Sequence, residues 1–373
     1  MHQEPSGVRI MAYTTIDDPS AYFQIALWTG NGGTLAVTND GNSDLQPDLL
    51  WLKSRSGATT EHHLVDTTRG EGTGSDDTPN VPSNADSAEY DRDILSATGI
   101  TSDGFSLDGY SDTNANTATH VGWQWKANGG STSSNDDGDY TSTVQANTTA
   151  GFSIVFYGDA TSFSALTPAN VGHGLGAVPK MILIKNLDGV RSWGVHHSGL
   201  TDASKIIYLE ATNAEAAASG FMDSTAPTSS VFTVDTRLEA NGNNLEYIAY
   251  CFAEVQGYSK FSSYTGNNSA DGPFVYTGFK PAFVMIKRYD GGTNAWYMWD
   301  NQRNPFNAGA DDNLWANNDS ADNYDDYGFD ALSNGFKIRT TTTNLNADGG
   351  TYIYMAFAHQ PFVSSGGVPC TAR

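Results

Sequence analysis

Apolar residues in this chain come in short dense runs separated by Asn, Gly, Asp and Ser, and three of the runs are versions of one phrase. The phrase reads PDLLWLKSRSG at Pro47–Gly57, PKMILIKNLDG at Pro179–Gly189 and PAFVMIKRYDG at Pro281–Gly291. Aligned on the proline, Lys53, Lys185 and Lys287 fall in one column, and Gly57, Gly189 and Gly291 in another. An unbroken apolar run of this length predicts a strand buried on both faces. Proline suits its first position, where no ladder N–H is needed, and the glycine supplies a turn. The repeated lysine has no repeated acid or base beside it. It therefore reads as a strand-end side chain that buries its stem and carries its charge to water.

Other runs recur in the same order around the phrase. Upstream stand FQIALWTG, FSIVFYG and YSKFSSYTG, half-alternating strands that stop at Gly30, Gly158 and Gly266. Downstream, Phe105, Phe232 and Phe336 mark a penultimate strand, and HVGWQWKA, YIAYCFAE and YIYMAFAH close each copy. In the closing strands one face carries Val121, Trp123 and Trp125, then Ile248, Tyr250 and Phe252, then Ile353, Met355 and Phe357. The opposite face of the first copy, Gly122, Gln124 and Lys126, reads as solvated.

The pattern predicts an all-β protein of three tandem homologous β-sandwich domains, jelly-roll-like, with six or seven short strands each. The expected layout is an N-terminal arm (1–20), repeat 1 (21–127), a polar linker (128–150), repeat 2 (151–256), repeat 3 (257–361) and a C-terminal tail (362–373). A loop poor in apolar residues, Thr67 to Tyr90, lengthens the first copy, and TNAEAAASG (Thr212–Gly220) is the one short helical candidate.

Composition sharpens this picture. Aromatic residues make up 12% of the 373 residues, ample for cores, and the formal net charge is −23. Such a surface repels phosphate backbones and anionic membranes, so neither nucleic acid nor membrane is an expected partner. Two cysteines, Cys251 and Cys370, are too few for a disulfide framework. No signal-like or membrane-spanning apolar stretch stands out.

Candidate chemistry is sparse. The histidine pairs His62–His63 and His196–His197 are adjacent on strands and so face opposite ways, which does not suit a shared metal. Asp136, Asp137 and Asp139 in NDDGD form the acidic turn that would admit calcium, short of the full loop spacing; no other cofactor is indicated. No nucleophile elbow, zinc-protease helix or phosphate loop occurs, and the expectation is a protein that is not an enzyme. Trp296, Trp299 and Trp315, set among Asn and Asp, are the candidates for an exposed saccharide platform.

The phrases YTTIDDPSAYFQIALWTGNGG, DGNSDLQPDLLWLKSRSG, GHGLGAVPKMILIKN and YIAYCFAEVQGYSKFSSYTGN resemble a family of structural proteins of tailed bacteriophages, marine ones especially, over about residues 12 to 373. The resemblance implies a non-enzymatic virion surface protein, tail-fibre-like or capsid-decorating, assembled in the host cytoplasm. Its implied partners are other virion proteins, a host-surface glycan or protein, and further copies of itself. The alternative function is a carbohydrate-binding β-sandwich protein. Two arrangements stay open: a fibre that trimerises, or three tandem copies that imitate a trimer within one chain and sit on a symmetric site.

Overall fold

The computed structural model describes residues 12–57, 59–70, 77–158, 168–307, 311–325 and 328–370. Calls that fall on residues 1–11 of the arm, 71–76 of the long loop and 371–373 of the tail lie outside the described residues. The chain is all-β, as the patterning predicts. Among the described residues the helices are single turns, the longest four residues.

Three segments of the chain build a large sheet with one strand order: opening, closing, central, flanking. In the first segment these strands are Phe23–Thr29, Thr119–Trp125, Leu49–Ser54 and His63–Asp66. In the second they are Phe152–Tyr157, Tyr247–Ala253, Pro179–Asn186 and Gly194–His197. In the third they are Ser259–Thr265, Thr351–Pro361, Phe279–Arg288 and Trp296–Asp300. All pairings are antiparallel, and the closing strand always lies between the opening and central strands. The recurring phrase is thus the strand that pairs with the closing strand on one side and the flanking strand on the other.

The central strands are buried on both faces because each face meets a different core. Leu50 and Leu52, Ile182 and Ile184, and Val284 and Ile286 point outward into three separate clusters, one per segment. Each of these clusters is shared with a small two- or three-stranded sheet that carries Phe105, Phe232 or Phe336. The alternate residues, Leu49 and Trp51, Met181 and Leu183, and Phe283 and Met285, point inward to one cluster common to all three segments. Period-two alternation on a strand makes this division possible.

The closing strands meet at the middle of the common core. Ring centroids of Trp125 and Phe252 are 6.2 Å apart, those of Trp125 and Phe357 5.6 Å, and those of Phe252 and Phe357 6.0 Å. These three residues occupy equivalent positions in the three segments. Trp123, Tyr250 and Met355 lie two residues before them, and Val121, Ile248 and Ile353 two before those, all in the same cluster. The segments therefore surround a shared centre and are not strung out in a line.

The glycines that end the opening strands are required by close approach. A Cβ at Gly30, Gly158 or Gly266 would lie 2.1, 2.3 or 2.3 Å from the carbonyl oxygen of Ala115, Leu245 or Ala347. By contrast, Gly57, Gly189 and Gly291 sit in the open, and of the three only Gly57 adopts a left-handed φ, at 92°.

Several local expectations are corrected. Pro47 precedes its strand and Pro179 begins one, but Pro281 lies inside its strand, where a register irregularity on either side accommodates the missing N–H. Gln124 is fully buried and donates from Nε2 to Asn39 Oδ1 at 2.6 Å, so the outer face of the first closing strand is not solvated. It is covered by the small sheet and by Trp28, which touches Gly122. The polar linker contains two strands, Ser133–Asn135 and Ser142–Asn147, which extend the second sheet. The helical candidate at Thr212–Gly220 forms a two-residue strand, Ala216–Ala217, with a single helical turn only from Ser219 to Met222. Cys370 is buried near the chain end.

One common core makes the three sheets interdependent. Phe357→Ala is expected to destabilise the whole chain by about 3–5 kcal/mol while leaving a single unfolding transition. Denaturant unfolding followed by tryptophan fluorescence and by far-UV circular dichroism checks this. Non-coincident curves would mean that the segments unfold separately.

Candidate functional site

The repeated lysines do not reach water. Lys53, Lys185 and Lys287 are each fully buried, because each lies on the inward face of its central strand, two residues beyond Trp51, Leu183 or Met285. Each ammonium is surrounded by carbonyl oxygens, one of them from a neighbouring segment. Lys53 Nζ donates to Asp319 O at 3.1 Å, Lys185 Nζ to Asp86 O at 3.2 Å, and Lys287 Nζ to Ala211 O at 3.4 Å. The order is cyclic: first segment to third, second to first, third to second. Local acceptors complete each cage: Ser54 O and Thr60 Oγ1 for Lys53, Asn186 O and Arg191 O for Lys185, and Asn294 O for Lys287.

Backbone bonds repeat the same cycle. The residue two beyond each lysine accepts from the neighbouring segment: Arg55 O from Asp322 N at 3.0 Å, Leu187 O from Glu89 N at 2.9 Å, and Tyr289 O from Glu215 N at 2.9 Å. In return Thr60 N, Arg191 N and Asn294 N donate to Asp319 O, Asp86 O and Thr212 O. The described residues 77–90 of the long apolar-poor loop of the first segment are therefore the strap that crosses to the second. Its Pro82 O also accepts from Trp193 Nε1 at 2.8 Å, as Tyr208 O accepts from Trp296 Nε1 at 2.9 Å one segment further on.

A second ring of contacts runs through the last residues of the flanking strands. Asp66 Oδ2 accepts from Tyr250 Oη at 2.8 Å and Asp300 Oδ2 from Trp123 Nε1 at 3.1 Å. Where Met355 offers no polar donor in the third closing strand, His197 replaces the aspartate. Its Nε2 donates to the backbone carbonyl of Tyr354 at 3.1 Å. Arg69 and Arg303, three residues after the two aspartates, neutralise them at 2.6 Å each. Arg69 continues to Glu89, while Arg303 and Arg55 both pair with Asp322. Sequence reasoning did not single out these acid–arginine pairs; the shared Asp-x-x-Arg spacing in DTTR and DNQR was the available signal.

The histidines serve packing. His62, His63, His173 and His197 are buried, and burial pulls His196 down to about 4 and His197 to about 3. His62 Nδ1 accepts from Trp51 Nε1 at 2.9 Å, and His173 Nε2 donates to Thr228 O at 3.2 Å. Asp136, Asp137 and Asp139 are not brought together. Asp136 accepts from Thr141 Oγ1 and Asp139 from Asn170 N, while Asp137 faces the amide of Asn135. Among the described residues no group of three or more His, Cys, Asp or Glu is placed to hold a metal ion.

Of the three candidate tryptophans, Trp296 and Trp299 are buried at 1% and 4% exposure, so neither forms a platform. Trp296 lies in the common core and Trp299 in the outer core of the third segment, because they fall on opposite faces of one strand. Trp315 differs. It is partly exposed and lines a cleft of about 550 Å³, beside Tyr297, whose ring centroid is 6.0 Å away at 73°. Asn344 Nδ2 donates to Tyr297 Oη at 2.6 Å. A smaller cleft of about 420 Å³ in the first segment lies between Ser54, Gly57 and Thr60 on one side and Ser111 and Ala118 on the other, without an aromatic wall.

The class these features define is an all-β protein whose three similar sheets close a ring about one aromatic core. The sequence profile of a family described as a domain of unknown function (DUF7483) matches residues 18–361, and the chain belongs to that family. No curated protein and no solved structure matches it.

Burial pulls Lys53 and Lys185 down to about 8 and Lys287 to about 7, against an ordinary 10.5. Lys185→Met removes the one donor that joins carbonyls of two segments, leaving Asp86 O only its bond from Arg191 N, and is expected to cost about 2–4 kcal/mol, read as a shift in urea midpoint. For Lys287 the unfolded chain binds more protons than the folded one between pH 7 and 10.5, so its contribution to stability grows as pH rises through that window. The destabilisation by Lys287→Met is therefore expected to increase from pH 7 to pH 10. A constant difference in urea midpoint across that range would refute the buried position.

Proposed function

We propose that this chain is a non-enzymatic structural protein of a bacteriophage virion surface, tail-fibre-like or capsid-decorating, which performs as one polypeptide the role of a homotrimer. The observation that carries this reading is the cyclic contact set. Each segment offers its neighbour equivalent lysine and backbone contacts and a flanking-strand contact at the same position, a head-to-tail interface that closes after three copies. A closed ring of near-equivalent faces suits attachment to a threefold site or display from one. The polar groups at the segment boundaries are occupied in holding the ring together: lysines by carbonyls, aspartates by arginines. That use favours a scaffold over a catalyst. The acidic surface suits a particle exterior and disfavours contact with packaged nucleic acid. The resemblance of the segment phrases to tailed-phage structural proteins points to the same location.

Cryo-electron microscopy of the parent particle tests the proposal. Density for the chain on the capsid shell or on the tail fibres is the expected outcome, with one chain occupying each threefold position. Particles that lack the chain altogether, by mass spectrometry and in the map, would overturn it.

A further inference from the structure

We infer that the Trp315 cleft is a binding site for a neutral saccharide. The first observation is the wall. Trp315 is the partly exposed member of an aromatic pair whose other member, Tyr297, is fixed by Asn344. A partly exposed indole beside an amphipathic phenol offers the apolar face on which a sugar ring stacks.

The second observation is the polar complement. Asn318 Oδ1 accepts from Ser320 N at 2.6 Å, which holds its side chain and leaves Nδ2 as a donor without a partner among the described residues. Asn344 spends Nδ2 on Tyr297 and keeps Oδ1 as an acceptor. Thr293 and Ser320 add hydroxyls to the lining. Donors, acceptors and hydroxyls that are all uncharged match a ligand whose own groups are hydroxyls.

The third observation is charge. The carboxylate in the lining, Asp322, has both oxygens taken, by Arg303 at 2.9 Å and Arg55 at 2.6 Å. The cleft therefore presents no uncompensated charge, and within a chain of net charge −23 it disfavours an acidic sugar. Its volume of about 550 Å³ lies within the range of small-ligand sites, about 300–1,000 Å³. The cleft of the first segment also lies beside a helical turn but has no aromatic wall, and is expected not to bind. Thr212 of the second segment contributes to the rim, so the site exists only when the ring is closed. The inference is independent of where the chain resides: a cleft that binds no sugar leaves the virion proposal standing, and absence from virions leaves this one standing.

The test uses the full chain. Saturation-transfer NMR with the methyl glycosides of glucose, galactose, mannose and N-acetylglucosamine, and an array of neutral and acidic oligosaccharides, provide the probes. At least one neutral saccharide is expected to bind, with affinity falling at least tenfold in Trp315→Ala. Because Trp315 also packs against the outer core of the third segment, Ser320→Trp serves as a second variant that fills the cleft and leaves Trp315 in place; it too is expected to abolish binding. Phe306→Ala, which removes a ring exposed elsewhere on the surface, is expected to leave binding unchanged. No neutral saccharide bound, only acidic ones bound, or binding undiminished in Ser320→Trp would each overturn the inference.

Discussion

Three rings in mutual contact, Trp125, Phe252 and Phe357, are the point on which the rest of this structure depends. Each comes from the closing strand of its segment, and each closing strand lies between the opening and central strands of its sheet. Bringing the rings together therefore fixes the separation of the three sheets. Edge-to-face aromatic pairs add about 0.5–1.5 kcal/mol each beyond the area they bury. Their larger effect is geometric, because a close-packed interior tolerates few alternative arrangements of residues this size.

Around that centre the polar contacts act as registration. An ammonium buried with its carbonyl partners contributes little net stability, but it leaves donors and acceptors unsatisfied if a segment slips or rotates. The lysine ring, the backbone ring and the aspartate–histidine ring all join neighbours, so an error at one boundary disturbs two segments. The substitution of His197 for aspartate beside Met355 shows the constraint at work. Where the neighbouring strand supplies no side-chain donor, the acceptor gives way to a group that donates to backbone instead. Further departures from symmetry are the added strands of the second sheet, whose Val144 and Ile206 join that segment's outer core, and the aromatic wall of the third-segment cleft.

This division between a shared interior and individual exteriors separates scaffold from ligand site. The repeated residues are spent on closing the ring. Of the residues proposed to meet a saccharide, Asn318 and Ser320 lie in a loop, Trp315 at a strand end and Asn344 in a helical turn, at the edge of the scaffold and not in the common core.

Much of the fold was legible in the order of apolar residues. The three phrases, the alternating faces of the closing strands and the glycine stops identify the strands and their repetition, because burial on a strand imposes period two and a strand end pressed against a carbonyl admits only glycine. The inward faces of the closing strands could be named from the sequence. That they face one another across segments could not, since a hydrophobic face does not state its partner. For the same reason Lys53, Lys185 and Lys287 read as surface side chains. A lysine beside an apolar run is equally compatible with water and with a carbonyl cage, and only the strap from the next segment decides between them. Trp296, Trp299 and Trp315 were indistinguishable as residue types. Which ring stays open to solvent follows from what the other segments and the small sheets cover, which is a property of the assembled tertiary structure alone.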